Sequence, residues 1–338
     1  MKKHRTFIIA EAGVNHNGSI LIAKKLIDNA KAGGADAIKF QTFKAEKLVS
    51  KSAHKAAYQK KTTSRSESHF DMLRRLELDE DDHRELINHC RKRKITFLSS
   101  PFDEASADFL DKLGVRVFKV PSGELTNLPL LQHIAKKNKP IIMSTGMSTL
   151  NEVRDALNII LRAGNNRVTL LHCVTEYPAP FKEINLRAML TLKESFGLPV
   201  GYSDHTEGIE VAIAAVAMGA QVIEKHFTLD RNMDGPDHRA SIDPLELKQM
   251  IKAIRNVEMS LGNGAKNPAP CELKNINVAR KSIVAIRDIG KGERIMRADL
   301  TVKRPGSGIQ PKDLNKVLGH VARCAIKADE VITWGKVS

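Results

Sequence analysis

Eight short apolar runs, each closing on polar residues, set what this chain of 338 residues can fold into. The runs are 7–10 into Glu11, 37–39 into Gln41, 96–98 into Ser100, and 117–120 into Ser122 and Glu124. Four more follow: 140–143 into Ser144, 168–171 into Thr175 and Tyr177, 199–201 into Ser203 and His205, and 222–223 into Glu224 and His226. Stretches of helical length separate them. In 20–31, Ala23, Leu26, Ile27 and Ala30 share one face behind a capping Ser19 and ahead of Gly33-Gly34, and 151–162 behaves likewise ahead of Gly164. Repeated strand-then-helix units with polar strand ends predict an α/β fold, a (β/α)8 TIM barrel with its chemistry at the carboxyl ends of the strands.

A barrel takes roughly 250 residues, which leaves room for one small partner domain. We place the barrel at 1–262. A linker with Gly, Asn and two prolines is expected over 263–277, and a β-rich module over 278–338, punctuated by a turn at Gly290-Lys291-Gly292. That module holds 13 Lys and Arg against 6 Asp and Glu, so it calls for an anionic partner or the mouth of an anionic site. The polar segment 44–68 breaks the rhythm after the second strand, and is expected to be either a mobile lid over the mouth or a tolerated insertion.

Aromatics make up 4% of the chain, too few for a surface on which nucleic-acid bases stack. The formal charge of +15 is spread over helix ends such as Arg91 to Lys94, where cations complement the helix dipole, so no nucleic-acid partner is expected. Cys90, Cys173, Cys271 and Cys324 form no CxxC pair, which argues against a zinc knuckle or a disulfide framework and for a reducing compartment. No signal segment or membrane span is apparent, so the expected location is cytoplasmic, with no membrane partner. Neither GxGxxG nor a phosphate-binding P-loop is present.

The strand ends carry chemistry. His205 and His226 close adjacent strands, and two neutral imidazoles with open positions suit Mn2+ or Mg2+ better than closed structural zinc. Lys39 and Lys119 end strands two and four, where an ammonium cannot sit in an apolar core unpaired. With Ser100, Ser122, Ser144 and Ser203 they make a set suited to a phosphate and a carboxylate. Glu11 and Glu124 are candidates for general acid or base work or for holding a sugar hydroxyl, and Tyr177 for placing water or a hydroxyl. His172, inside an apolar run, reads as a satisfied core residue.

The motifs AEAGVNHNGS (10–19), KFQTFKAEKLVS (39–50), KVPSGELTNLPLL (119–131), STGMST (144–149), TEYPAPF (175–181), GYSDHT (201–206), EKHFTLDRNMDGPDH (224–238), ARKSIVA (279–285) and KRPGSGI (303–309) occur in this order. In them the chain resembles the bacterial sialic acid synthases, or nonulosonic acid synthases. These condense phosphoenolpyruvate with an N-acetylated mannosamine-type sugar, so the resemblance makes the chain an enzyme of the transferase class. It also implies a C-terminal antifreeze-like (SAF) domain and a domain-swapped homodimer in which each module closes its partner's site.

By that resemblance His205 and His226 are the protein ligands of Mn2+ or Mg2+, and Lys39, Lys119, Ser100, Ser122, Ser144, Thr175 and Ser203 surround phosphoenolpyruvate. Glu11, Gln41, Tyr177 and Asp237 line the sugar pocket, Glu124 is the acid/base carboxylate, and Arg304 reaches the sugar's N-acetyl group from the partner. The acceptor is N-acetylmannosamine, giving N-acetylneuraminate, or a 2,4-diacetamido-trideoxymannose, giving N,N′-diacetyllegionaminate. Two other readings stand beside it: a barrel lyase with a Schiff base on Lys39 or Lys119, and a non-catalytic polyanion-binding protein.

Overall fold

The structure, a computed structural model, describes residues 5–338 apart from residue 65, and divides into two compact units, 1–262 and 263–338. The first is built on eight parallel strands: β1 (Phe7–Gly13), β2 (Ala37–Thr42), β3 (Thr96–Pro101), β4 (Phe118–Val120), β5 (Ile141–Ser144), β6 (Val168–Cys173), β7 (Val200–Asp204) and β8 (Val222–His226). They pair in the order β3-β2-β1-β8-β7-β6-β5-β4, and β3 and β4, the two ends of that order, pack side by side to close a (β/α)8 barrel.

Strand alternation sorts the residues into layers. Ile9, Ala37, Leu98, Ile142, Leu171 and Val222 form an apolar plug inside the barrel. Two residues further along the same strands come Glu11, Lys39, Ser100, Ser144, Cys173 and Glu224, so the floor of the mouth rests directly on that plug. Residues of opposite parity, such as Ile8, Ala10, Ile38, Phe40 and Ile223, pack outward against the helices in a separate core.

Helix ends hold the strands at these levels. Ser19 accepts from the Ile22 amide to start Ile20–Gly33, and Gly34 closes that helix in the left-handed region. Thr149 with Glu152, and Asp243 with Glu246, form capping boxes on Leu150–Arg162 and Pro244–Ser260. The basic run Arg91 to Lys94 lies exposed at the end of the helix Glu80–Arg93.

The segment 44–68 is not a bare loop. It contains the short helices Ala45–Leu48 and Ala57–Thr62, and residue 65 lies outside the described residues. The buried Lys55 ammonium gathers it by donating to Thr63 Oγ1 and the Ser64 carbonyl at 3.0 Å each and to Glu67 at 3.2 Å. Ala45, Leu48 and Val49 pack into a small apolar cluster with Phe43 and Met72, but sequence periodicity misses the later part because one cation, not an apolar stripe, organises it.

In the second unit, Ser282–Ala285 (β9) and Leu300–Lys303 (β10) pair antiparallel over a core that includes Ile283, Ile295, Leu300, Ile326 and Ile332. The turn at 290–293 forms, with the Glu293 amide donating to the Gly290 carbonyl at 3.0 Å. The expected linker is only partly irregular, because a helix, Leu273–Ala279, runs across its end at 277. Pro270 starts a 3₁₀ turn ahead of that helix, and Glu272 accepts from the Ala269 amide at 2.7 Å. Proline is tolerated in such a first turn, so it did not act there as a breaker.

Gly201 sits inside the barrel where a Cβ would lie 2.3 Å from the Val222 carbonyl oxygen and 2.7 Å from Leu171 Cδ2. Replacing Gly201 with Ala is therefore expected to push β7 off β8 and destabilise the fold by about 1–3 kcal/mol. Thermal unfolding should show a melting temperature several degrees lower, and an unchanged one would contradict this packing.

Candidate active site

The carboxyl ends of the strands enclose a cavity of about 450 Å³. Among its walls are Glu11, Lys39, Gln41, Ser100, Lys119, Ser122, Ser144, Thr175, Tyr177, Ser203, His205 and His226, so twelve of the residues singled out from sequence converge on one space. Glu124 and Asp237 do not line it. Glu124 stands on the 3₁₀ turn Ser122–Glu124, half-buried, accepting from Asn127 Nδ2 at 2.7 Å. Asp237 is buried, with Oδ2 at 4.0 Å from His226 Nδ1. Arg304 belongs to the second unit, where its Nε donates to the Ala279 carbonyl at 3.0 Å.

At the floor lies a buried ionic network. Lys39 Nζ is 2.8 Å from Glu11 and 4.0 Å from Glu224, and donates to Ser100 Oγ at 3.1 Å. Lys119 Nζ is 3.3 Å from Glu224, whose Oε1 also accepts from Ser203 Oγ at 3.1 Å. Burial raises a carboxyl and lowers an ammonium, while each opposite charge works the other way. Burial dominates at Glu11, pushed up to about 7 and only partly offset by Lys39. At Glu224 burial is outweighed by Lys119 and Lys39, which hold it below the ordinary range. Lys39 stays cationic, since Glu11 and Glu224 overcome its burial, whereas burial pulls Lys119 below its usual value despite Glu224.

Sequence reading gave Glu224 no role. Its signal was parity: it lies two residues before His226 on the same strand, and so on the same face. Cys173 and Tyr58 also line the cavity unannounced. Tyr58 comes from the helix Ala57–Thr62 and packs on Tyr177 with ring centres 5.0 Å apart, a placement no local pattern could reveal.

Tyr177 in turn stacks on His205 at 4.2 Å and meets His226 edge-on at 5.3 Å. The two imidazole rings are themselves 5.3 Å apart, inclined at 68°. His205 Nδ1 donates to the Val174 carbonyl at 2.6 Å, which leaves Nε2 with its lone pair free. Burial, with His205 and Lys39 nearby, holds His226 well below its ordinary value and so neutral. At His205 burial pulls down, but the neighbouring Cys173 outweighs it and shifts the group up. No group of three or more His, Cys, Asp or Glu suited to a metal occurs among the described residues, so protein donors alone would not complete a coordination shell. The two imidazoles fit a divalent ion that takes its remaining ligands from water or substrate.

Several polar atoms around the cavity are unpaired. Glu11 Oε2, Glu224 Oε2, Ser144 Oγ, Thr175 Oγ1 and His226 Nδ1 are buried without a hydrogen-bond partner among the described residues. The chain crosses closely here, since the Gly146 amide donates to Ser122 Oγ at 2.9 Å and a Cβ on Gly146 would lie 2.3 Å from Thr175 Oγ1. His172, by contrast, is satisfied by the Ile184 carbonyl at 2.7 Å.

Comparison with known proteins settles the lineage. Residues 26–266 match the NeuB family and residues 280–338 an SAF domain. The chain belongs to the NeuB family, the nonulosonic acid synthases. It is 55% identical to the N,N'-diacetyllegionaminic acid synthase of Campylobacter jejuni, over 98% of this chain and 99% of that one. The protein of the same name from Legionella pneumophila is 49% identical, over 97% and 93%. The crystal structure of N-acetylneuraminic acid (sialic acid) synthetase from Leptospira borgpetersenii in complex with citrate superposes with a TM-score of 0.73 at 33% identity, covering 81% of this chain and 91% of that one.

Glu224 answers both lysines of the NeuB-family floor, so Glu224→Gln leaves Lys119 without its anion. The variant is expected to be less stable than the parent and to gain more melting temperature from added inorganic phosphate. An equal phosphate response in both proteins would refute this charge balance.

Proposed function

We propose that this chain is an N,N′-diacetyllegionaminate synthase, which condenses phosphoenolpyruvate with 2,4-diacetamido-2,4,6-trideoxymannose and releases phosphate. The reaction class is supported by one arrangement above all: two buried ammoniums and a ring of hydroxyls beside paired imidazoles in a single cavity. The choice of acceptor is supported by the identities of 55% and 49% to two proteins bearing that name.

Lys39 and Lys119 hold the carboxylate and phosphate of phosphoenolpyruvate, and Ser100, Ser122, Ser144, Thr175 and Ser203 orient their oxygens. The orphaned hydroxyls of Ser144 and Thr175 are suited to this task. Gln41, Tyr177 and Glu11 line the space left for the sugar. His205 and His226 would hold a divalent cation, Mn2+ or Mg2+. When bound, such an ion supplies Lewis-acid polarisation of the sugar's carbonyl.

C3 of phosphoenolpyruvate attacks the C1 carbonyl of the open-chain sugar, and the carbonyl oxygen takes up a proton. Positive charge develops at C2 beside the carboxylate. Water adds there and gives up a proton, and the tetrahedral centre collapses with cleavage of the bond between C2 and the bridging oxygen, which leaves with phosphate. Lys39 and Lys119 offset charge on the departing group. Glu124, held above the ordinary carboxyl range by burial, serves as the acid/base group; since it does not line the cavity, its proton travels through water. Asp237 positions His226 and the sugar side of the mouth.

In the assembly we propose, a domain-swapped homodimer in the cytoplasm, Arg304 of each SAF domain serves the partner's sugar site. Among the described residues no helix is long and apolar enough to cross a membrane.

Offered phosphoenolpyruvate and each amino sugar in turn, the protein should release phosphate fastest with the diacetamido-trideoxy sugar, giving a product of the mass of N,N′-diacetyllegionaminate. Faster turnover with N-acetylmannosamine would move the assignment to N-acetylneuraminate. An 18O label in the bridging position of phosphoenolpyruvate should appear in phosphate. EDTA, His205→Ala or His226→Ala should abolish turnover, whereas borohydride trapping of pyruvate on Lys39 or Lys119 would support the Schiff-base lyase instead. Arg304→Ala should raise the KM for the sugar about tenfold or more, as loss of a charged hydrogen bond implies, with little change for phosphoenolpyruvate.

A further inference from the structure

Asp204 and Lys225 each stand one residue ahead of a histidine of the proposed cation site, and on the opposite face of their strands. They are direct partners in the ladder between β7 and β8, which runs from Tyr202 with Ile223 to this pair and goes no further. Between these two strands His205 and His226 thus lie one step beyond the last paired residues, although on its other side His226 still pairs with Glu11 of β1. Between β7 and β8, side chains there take over from the backbone ladder. Lys225 Nζ is 2.9 Å from Asp204 Oδ2 and donates to the Thr206 carbonyl at 2.6 Å, while Asp204 Oδ1 accepts from the Thr206 amide at 2.9 Å and its hydroxyl at 2.8 Å. His205 is therefore held between two fixed residues, 204 and 206, both tied to the residue that precedes His226.

Both charged side chains have 0% exposure and neither lines the cavity, so the pair cannot touch substrate. Stability does not explain it either. A buried ion pair gives up so much hydration that well-packed apolar residues in its place are often as stable or more so. What the pair supplies is geometry between β7 and β8 at the point where their own ladder has ended.

We infer that Asp204 and Lys225 are positioning residues that fix the separation and inclination of the His205 and His226 rings, and so preorganise the cation site. The inference rests on the metal reading given above, and predicts an effect on cation affinity before any substrate binds. Outer partners that orient metal-ligating histidines are commonly worth about 10–100-fold in affinity.

The test measures Mn2+ binding to the full-length protein without substrate, by titration calorimetry and by the electron spin resonance of free Mn2+. The double variant Asp204→Leu with Lys225→Met should melt no lower than the parent in the absence of metal, yet bind Mn2+ about tenfold or more weakly. Its kcat should recover at saturating Mn2+. Parental affinity in the folded double variant would overturn the inference. Should that variant fail to fold, Thr206→Val decides: it keeps the ion pair but removes one of the hydrogen bonds on Asp204, and should weaken Mn2+ several-fold, whereas unchanged affinity overturns the inference. His226→Ala separates the two levels. If it binds Mn2+ like the parent, the metal reading has failed; if it loses Mn2+ while the Asp204 and Lys225 variants do not, only the positioning role has failed.

Discussion

Four ionisable groups buried on one apolar plug govern this barrel: Glu11, Lys39, Glu224 and Lys119. An isolated charge at that depth would be several kcal/mol unfavourable, so none of the four is independent of the others. Glu224 answers both lysines, which leaves Glu11 as the group whose charge is least favoured by burial. The arrangement has a functional side. Ammoniums already stripped of water need no reorganisation when an anion arrives, and a carboxylate among them holds the place until it does.

That floor is a direct consequence of strand alternation. Ile9, Ala37, Leu98, Ile142, Leu171 and Val222 fill the barrel at one level, and a polar or reactive side chain follows two residues later on each of those strands. The plug thus does two things at once. It supplies the apolar contact that keeps the strands together, and it presents the next layer to the mouth as a dry, rigid surface. Gly201 shows how tight this is, since β7 has no room for even one methyl group where it passes the Val222 carbonyl.

The barrel was legible because short apolar runs and stretches of helical length alternate, interrupted only at 44–68, and the eight polar strand ends were legible because each run closes on them. Residues whose role depends on partners in other strands were not. Glu224 looks like any strand-end carboxylate until two lysines are seen on either side of it, and Asp204 with Lys225 look like solvated charges although they are wholly buried. Tyr58 reaches the cavity from a segment organised by the Lys55 ammonium, which has no periodic signature. Depth along the rim was not legible either: Glu124 is two residues from Ser122, yet of the two only Ser122 lines the cavity, and Glu124 stands behind it on the 3₁₀ turn.

The charge of the cavity connects its two halves. Glu224, with Glu11 only partly charged, offsets part of the charge of two ammoniums, so the floor alone offers a reduced net attraction to a substrate that carries both a phosphate and a carboxylate. His205 and His226, which line the same cavity, would hold a divalent cation that supplies further positive charge there. Cation and anion would then bind with positive coupling, each strengthening the other by the same factor, as linkage requires. The stacking of Tyr177 on His205 fits that scheme, because an aromatic face beside the imidazole excludes water and keeps the dielectric low where the charges must sense one another. A barrel mouth of this kind does not need a surplus of lysines to hold an anion; it needs the cation site and the lysine floor to remain at a fixed distance.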